Sequence, residues 1–420
     1  MAVLAALLVM APAVGGTQVV AASSPCADTV TSGYTVHTCL TAPGDGATVS
    51  GVTTVRATTQ VTAGTTKVRE VVFSLAAEYV LTDFSAQSVA GGVSTWQFSL
   101  PTAMWVDGSR LLSALPLIGN SKAKGTAASV NVTFLNGVTV PPTNSNNFTP
   151  ALGTAPPPGQ QFVVAAVGDG AAGTHGSDGV VSLLQGWNPN LFLYLGDVYE
   201  RGTYTEFYNW YSPGWGSLYS VTDPTIGNHE AETPGGAGYE WYWNNVPLYY
   251  SFNTQGWHFI VLDGNPANKF PGYNAQLTWL QNDLAQHAGE CIVATWHQPL
   301  YDEGPAGGSS QVQGLWNQLV AAHATLVLNG HDHTYQRWEP LDATGASDPT
   351  GLTEIIVGTG DHDLQKIHTP FDPRVVAAAF GSKASGAFRM TVSATSLAFT
   401  FTETSGTVAD SGTIPCRAQP

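Results

Sequence analysis

The chain has 420 residues, enough for two or three domains of about 100–200 residues, so a single small disulfide-stapled module is excluded. Hydrophobic residues make up 43% and charged residues only 10%, against about 25% in ordinary domains, which excludes disorder driven by charge. Fourteen Lys and Arg against 30 Asp and Glu leave a net charge of −16, a field that repels phosphate backbones and argues against a nucleic-acid partner.

Residues 1–22 hold an apolar run from Val3 to Met10 and, at Val20, Ala21 and Ala22, residues that suit signal-peptidase cleavage, although no basic residue precedes the run. Pro12 and Gly15 break it well short of the ~20 residues a membrane span needs, and no other transmembrane segment is expected. The segment reads as a removed export signal of a secreted, extracellular protein. Cys26, Cys39, Cys291 and Cys416 show no Cys-x-x-Cys spacing and read as disulfides. Three pairings are open; the favoured one closes a local loop with Cys26–Cys39 and ties the tail with Cys291–Cys416.

From Cys26 to Gly137 apolar residues alternate with polar ones, as at Trp96, Phe98 and Leu100 and at Val130, Val132 and Phe134, which predicts antiparallel strands. The stretches TAPGDGATVSG (41–51) and VDGSRLLSAL (106–115) resemble strands of bacterial immunoglobulin-like modules. The resemblance implies an all-β immunoglobulin-like sandwich over 26–137, without chemistry of its own and suited to a spacer role or to attachment to a cell surface or polymer. Residues 138–160, rich in Pro, Thr and Asn, offer nothing periodic to bury and are expected to form a semi-extended linker.

Beyond the linker the pattern changes to apolar strands with loops and helices between them: QFVVAAVGD, NLFLYLGD, WHFIVLD, CIVATWH and ATLVLNGHDH. Leu277, Leu280 and Leu284 mark one helical face behind Asn274 as N-cap, and Leu315 with Leu319 marks another. Alternating strands return after Glu354, in IIVGTG, AFRMTVSA and SLAFTFTE. The expected fold over 161–416 is α/β, a layered β-sandwich flanked by helices.

Asp169, Asp197, Asn228, His297, His331 and His333 each lie at the end of an apolar strand or in the loop just after it, where α/β sheets build their sites. Oxygen and imidazole donors without thiolate suit zinc, manganese or iron, and six donors exceed what one tetrahedral ion needs. Two metal ions sharing a carboxylate are the economical solution, and such a pair can activate water and neutralise a phosphoryl group.

The ordered blocks GDG (168–170), GDVYE (196–200), GNHE (227–230), ATWHQP (294–299) and GHDH (330–333) resemble the calcineurin-like metallophosphoesterases, and among them the purple acid phosphatase branch, while RGTYTEFYNWYSPGWGSLYSVTDPTIGNHE (201–230) and YYSFNTQGWHFIVLD (249–263) resemble its secreted bacterial members. The resemblance implies the metallophosphoesterase fold and Asp197 as the bridging carboxylate. Asp169 and His333 would then serve one ion, and Asn228, His297 and His331 the other. It makes His229 the general acid beside the leaving group. Glu230 and Asp332 become second-layer carboxylates that hold imidazole tautomers. In the members with two divalent ions the first block usually carries a histidine two residues after its aspartate; here that position is Ala171. Purple acid phosphatases replace that histidine with a tyrosinate on ferric iron, but in GDVYE Tyr199 arrives one residue early and Glu200 takes the tyrosine's place. Three readings stay open: Tyr199 on the metal through a shifted loop, which is favoured; Glu200; or neither.

His175 and His362 lie in loops that follow strands on the same side and are candidate substrate contacts. The aromatic cluster from Tyr239 to Tyr250 reads as packing, with Tyr239 or Trp241 as rim candidates, and Arg337 as a surface ion pair. The implied function is a secreted binuclear phosphatase that hydrolyses small phosphomonoesters by attack of a metal-bound hydroxide, using Fe with Zn or Mn, or a Zn or Mn pair. The alternatives are a phosphodiesterase or nucleotidase of the same fold, or a catalytically silent attachment protein.

Overall fold

The computed structural model describes residues 24–418 apart from 77, 85, 154, 157–159, 174–177, 267–271 and 382–383. The expected export signal and His175 therefore lie outside the described residues.

The N-terminal strands form two sheets packed face to face. One contains, in spatial order, Cys26–Val30, Tyr34–Ala42, Val52–Gly64, Val93–Pro101 and Ser88–Ala90. The other contains Ala47–Val49, Ala128–Phe134, Gly108–Ile118, Val68–Leu75 and Glu78–Asp83, with Ala123–Lys124 paired onto Gly108–Ile118. Alternate residues point inward, so Val55, Phe73, Trp96, Phe98, Leu112 and Val130 make a dry core between the sheets.

The larger part is a second pair of sheets, of mixed α/β character. Its six-stranded sheet runs Thr222–Pro224, Leu191–Tyr194, Val163–Val167, Gly386–Val392, Ser396–Glu403, Val408–Pro415. Its seven-stranded sheet runs Tyr250–Thr254, Trp257–Val261, Cys291–Thr295, Leu326–Asn329, Thr353–Val357, Tyr335–Trp338, Val375–Ala379. Val164, Leu193 and Phe388 of the first meet Phe259, Val293 and Ile355 of the second in one core. The outer face of the second sheet buries Ile260, Ala294 and Val327 under Leu280 and Leu315 of the helices Tyr273–Gln286 and Gln313–Ala321. The strands ahead of the polar loops are parallel in both sheets, so their carboxyl ends open on one side. The helix expected to start behind Asn274 has Gly272 as its N-cap, so Asn274 lies inside it.

Two disulfides form, Cys26–Cys39 across the first hairpin and Cys291–Cys416 between a central strand and the C-terminal tail. No helix among the described residues is long and apolar enough to cross a membrane.

The segment expected as a free linker is fastened to the second pair of sheets. Asn144 Nδ2 donates to Trp241 O, Ala151 N–H to Asp223 Oδ1, and Phe148 packs edge-on against Tyr250 at 4.9 Å. Asparagine side chains that bond backbone elsewhere, together with one half-buried aromatic, supply the anchoring that a periodic pattern would otherwise signal. The N-terminal sandwich is docked as well: Tyr79 Oη donates to Glu206 Oε1 at 2.6 Å, and Asn209 exchanges hydrogen bonds with the Ser99 backbone.

Glu354 lies fully buried in the strand Thr353–Val357, where its carboxyl oxygens accept the N–H groups of Leu300 and Tyr301. Burial, opposed by those two hydrogen bonds, pushes its pKa from the ordinary 4.5 up to about 8. An acid whose pKa rises on folding contributes stability that is full below its unfolded value and is lost as pH climbs through its folded value. Denaturant titrations across pH 5 to 8 are therefore expected to show stability falling in the wild type, with a shallower slope in Glu354→Gln; equal slopes refute this.

Candidate metal centre

The parallel strands deliver polar groups to the shared seam. Asp169 follows Val163–Val167, Asp197 follows Leu191–Tyr194, and Asn228 follows Thr222–Pro224. From the facing sheet, His297 follows Cys291–Thr295, and His331 and His333 follow Leu326–Asn329. Asp169, Asp197 and His331 sit at φ of 63°, 67° and 75°, left-handed backbone that turns the chain sharply at the strand end. Only glycine fits beside them: a Cβ on Gly227 would lie 2.0 Å from Asp197 Oδ1, and one on Gly330 2.5 Å from Asp169 Oδ2.

The carboxylates of Asp169 and Asp197 are sealed from solvent. Asp169 Oδ1 accepts the Tyr199 hydroxyl at 2.9 Å and lies 3.5 Å from His333 Nε2, while Oδ2 accepts the His331 N–H at 2.9 Å. Asp197 Oδ1 accepts the His229 N–H at 2.9 Å, and Oδ2 lies 3.0 Å from His297 Nε2. Donor atoms of Asp197, His297 and His331 all fall within 4.8 Å of one another. Burial opposes charge on Asp197, but the His297 and His229 imidazoles hold its carboxyl well below the usual range. Burial likewise opposes charge on His297, yet Asp197 and Asp169 push its pKa up to about 10. His331 goes the other way, to about 4, through burial and the neighbouring His297.

Two buried atoms in this seam have no hydrogen-bond partner, Asn228 Oδ1 and His297 Nε2. The latter lies close to Asp197 but at an angle that makes no hydrogen bond. Such atoms cost about 1–3 kcal/mol each when unsatisfied, and an amide oxygen and an imidazole nitrogen are donors that first-row dications accept. The residues present fit bound cations.

Tyr199, in the GDVYE block, is buried with its hydroxyl 2.9 Å from Asp169 Oδ1 and 2.8 Å from His333 Nε2. Glu200 points elsewhere: its carboxylate is half-exposed, 4.0 Å from His229 Nδ1. Burial and the Asp169 carboxylate raise the Tyr199 phenol well above its ordinary pKa of 10, so without a cation it stays neutral. Its ring lies against His362 at a centroid distance of 3.8 Å and meets His229 edge-on at 4.3 Å. His362 thus reaches the seam.

Glu230 and Asp332 do not hold imidazoles. Glu230 accepts the backbone N–H groups of Asp197, Val198 and Gly227, tying two site loops together, and Asp332 accepts the Ala306 N–H. Backbone carbonyls orient the rings instead: Leu195 O faces His297 Nδ1 at 2.7 Å, Glu200 O faces His229 Nδ1 at 2.7 Å, and Asp363 O faces His333 Nδ1 at 3.2 Å. Carbonyls accept wherever the chain passes, so residue types do not reveal them. Of the rim candidates, Tyr239 is buried with its hydroxyl on Pro224 O, and Trp241 walls a cleft toward the N-terminal sandwich. Arg337 pairs in a bidentate way with Asp410.

Glu206 is a site-supporting residue that the strand pattern does not point to. Its buried carboxylate accepts the N–H groups of Glu200, Arg201 and Thr203, so it shapes the loop after Tyr199. The spacing Thr203-x-x-Glu206 is a capping box, and that was its available signal.

A family model described as calcineurin-like phosphoesterase matches residues 164–335. Purple acid phosphatase 18 of Arabidopsis thaliana is 31% identical over 128 residues, covering 29% of this chain and 29% of that protein. Purple acid phosphatase 15 of the same plant is 27% identical over 240 residues, covering 47% of this chain and 44% of that protein. The chain thus spans less than half the length of these curated relatives. A solved purple acid phosphatase from yellow lupin (Lupinus luteus) seeds superposes with a TM-score of 0.48 at 14% identity, over 91% of this chain and 79% of that one. The chain carries a calcineurin-like metallophosphoesterase domain, matched over residues 164–335.

Proposed function

We propose that the chain is an exported, two-metal phosphomonoesterase of the purple acid phosphatase type, preceded by an immunoglobulin-like module. The convergence of Asp169, Asp197, Tyr199, Asn228, His297, His331 and His333 on one buried seam, with His229 at its edge, carries the reading. Asp197 would bridge the two cations, with Asp169, Tyr199 and His333 on one side and Asn228, His297 and His331 on the other. Fe with Zn or Mn, or a Zn or Mn pair, supplies Lewis-acid charge neutralisation and an activated water when bound.

The chain's own residues do the rest. The carbonyls of Leu195 and Asp363 take the Nδ1 protons of His297 and His333, which turns both Nε2 lone pairs into the seam. His229 is 26% exposed and gives its Nδ1 proton to Glu200 O, so in the imidazolium form its second proton is at Nε2, 3.9 Å from Asp197 Oδ2. That proton is placed to pass to a departing alkoxide or phenoxide oxygen. Tyr199 lies between His229 and His362, ring against ring, and walls the seam beside both imidazoles. Two disulfides suit an oxidising compartment and support the extracellular reading.

His229→Ala is expected to lower kcat on a chromogenic phosphomonoester by roughly 10²- to 10⁴-fold at unchanged metal content, whereas Asp197→Ala loses both metal and turnover. Unchanged turnover in either variant overturns the assignment, and a diester cleaved faster than the monoester redirects it to a phosphodiesterase.

The Tyr199 position makes a separate spectroscopic prediction. Iron-loaded protein is expected to show a visible tyrosinate-to-iron band that disappears in Tyr199→Phe. A band that survives the substitution removes Tyr199 from the metal.

A further inference from the structure

The N-terminal sandwich reaches toward the seam through Phe84. Phe84, just after the strand Glu78–Asp83, has its ring 6.3 Å from His362, whose other neighbour is Tyr199 at 3.8 Å. Phe84 also abuts the loop after Asp169, since a Cβ on Gly173 would lie 2.8 Å from Phe84 Cδ2. A column of rings therefore runs from the sandwich to the candidate metal donors.

Beside Phe84 is a cleft of 380 Å³ walled by Arg69, Glu70, Asn120 and Lys122. Its walls are the start of the strand Val68–Leu75 and the turn after the adjoining strand Gly108–Ile118, held together where Gly119 N–H bonds Lys67 O and Val68 pairs with Ile118. These two segments carry Lys67, Arg69, Lys122 and Lys124, four of the chain's 14 cationic residues. Lys122 Nζ pairs with Glu70 Oε1 at 2.6 Å. The Glu70 hydrogen bond first, and the Glu70, Glu200 and Asp363 carboxylates behind it, hold the Lys122 ammonium above its ordinary pKa. Glu200 and Asp363 belong to the loops that orient His229 and His333, and Phe84, which lines the same cleft as Lys122, is the ring that meets His362. Arg69 bonds the neutral Asn120 amide oxygen, and among the described residues no carboxylate lies within 4.0 Å of it. Its charge is thus available to a ligand anion.

We infer that the N-terminal sandwich is the specificity half of the site: the cleft walled by Arg69, Phe84, Asn120 and Lys122 receives the leaving group. It selects planar leaving groups that carry a second anionic group. The rings of Phe84 and His362 offer a flat apolar wall to an aromatic leaving group, and the Arg69 guanidinium offers a fork that pairs with a carboxylate or phosphate. The inference rests on the phosphomonoesterase reading above.

The test uses the metal-loaded full chain and two esters of equal size, 4-carboxyphenyl phosphate and 4-carbamoylphenyl phosphate. The kcat/KM ratio of the first to the second is expected to be about tenfold in the wild type, as a partly desolvated ion pair supports. It is expected to fall toward one in the double variant Arg69→Gln/Lys122→Gln. Phe84→Ala is expected to raise KM for both esters several-fold more than it lowers kcat. A wild-type ratio near one, or a ratio that the double variant leaves in place, overturns the inference while turnover of both esters keeps the phosphomonoesterase reading. Turnover of neither ester overturns both.

Discussion

Two carboxylates buried in one seam set the terms for everything around them. Asp169 and Asp197 are withdrawn from water at the ends of adjacent parallel strands, in left-handed backbone, on the same side of the sheet. Like charges in a dry interior repel, and neither can stay ionised without donors close by. The chain answers Asp169 with the Tyr199 hydroxyl and the His331 N–H, and Asp197 with the His229 N–H and the His297 ring. Those donors account for part of the charge. The seam still presents acceptor lone pairs at Asn228 and the imidazoles, a surplus that cations satisfy and further protein donors would not.

Holding such a cluster requires loops that are buried yet irregular, and a buried loop has backbone N–H groups with no strand partner. The same device recurs three times. Glu230 accepts three backbone N–H groups from the Asp197 and Gly227 loops, Glu206 accepts three from the loop after Tyr199, and Glu354 accepts two from the loop after His297. In each case one carboxylate replaces a stretch of ladder. Burial raises the pKa of all three, to about 8 for Glu230 and Glu354, so the loops are fastened by acids that fold more comfortably protonated. Glu206 has a further bond, from Tyr79 of the N-terminal sandwich, which makes the loop after Tyr199 a shared element of both halves.

The strand-end positions of Asp169, Asp197, His297, His331 and His333 were legible because apolar runs that only buried strands explain lead into them, whereas Asn228, behind the short strand Thr222–Pro224, was legible from its GNHE block. What the polar groups bond to was not. Glu230 follows a histidine in the sequence and invites the role of tautomer holder, but two of its partners are the backbone N–H groups of Asp197 and Val198, brought from about 30 residues away by the pairing of Leu191–Tyr194 with Thr222–Pro224. The choice between Tyr199 and Glu200 depended on a loop path, which Glu206 and the Ala171 carbonyl set through contacts that residue spacing does not encode. The anchoring of residues 138–160 was hidden for the same reason: isolated Asn and Phe contacts leave no period.

Net charge was the feature most open to misreading. A value of −16 describes the whole surface, whereas charges farther than about 8 Å apart are largely screened at physiological ionic strength. A small phosphoester near the seam therefore responds to the groups lining its mouth. Two cations elsewhere are engaged: Arg337 by Asp410, and Arg374 by Asp372 while it stacks over Tyr301 and Trp338. The segments of Lys67–Arg69 and Lys122–Lys124 are different, because they bring four cations together and Glu70 pairs with one of them, Lys122. The acidic chain thus keeps a basic edge next to the buried carboxylates, on a domain whose sequence alone suggested a spacer. A cation cluster on a mere spacer would have no reason to be docked through Tyr79 and Phe84 onto the loops that shape the seam.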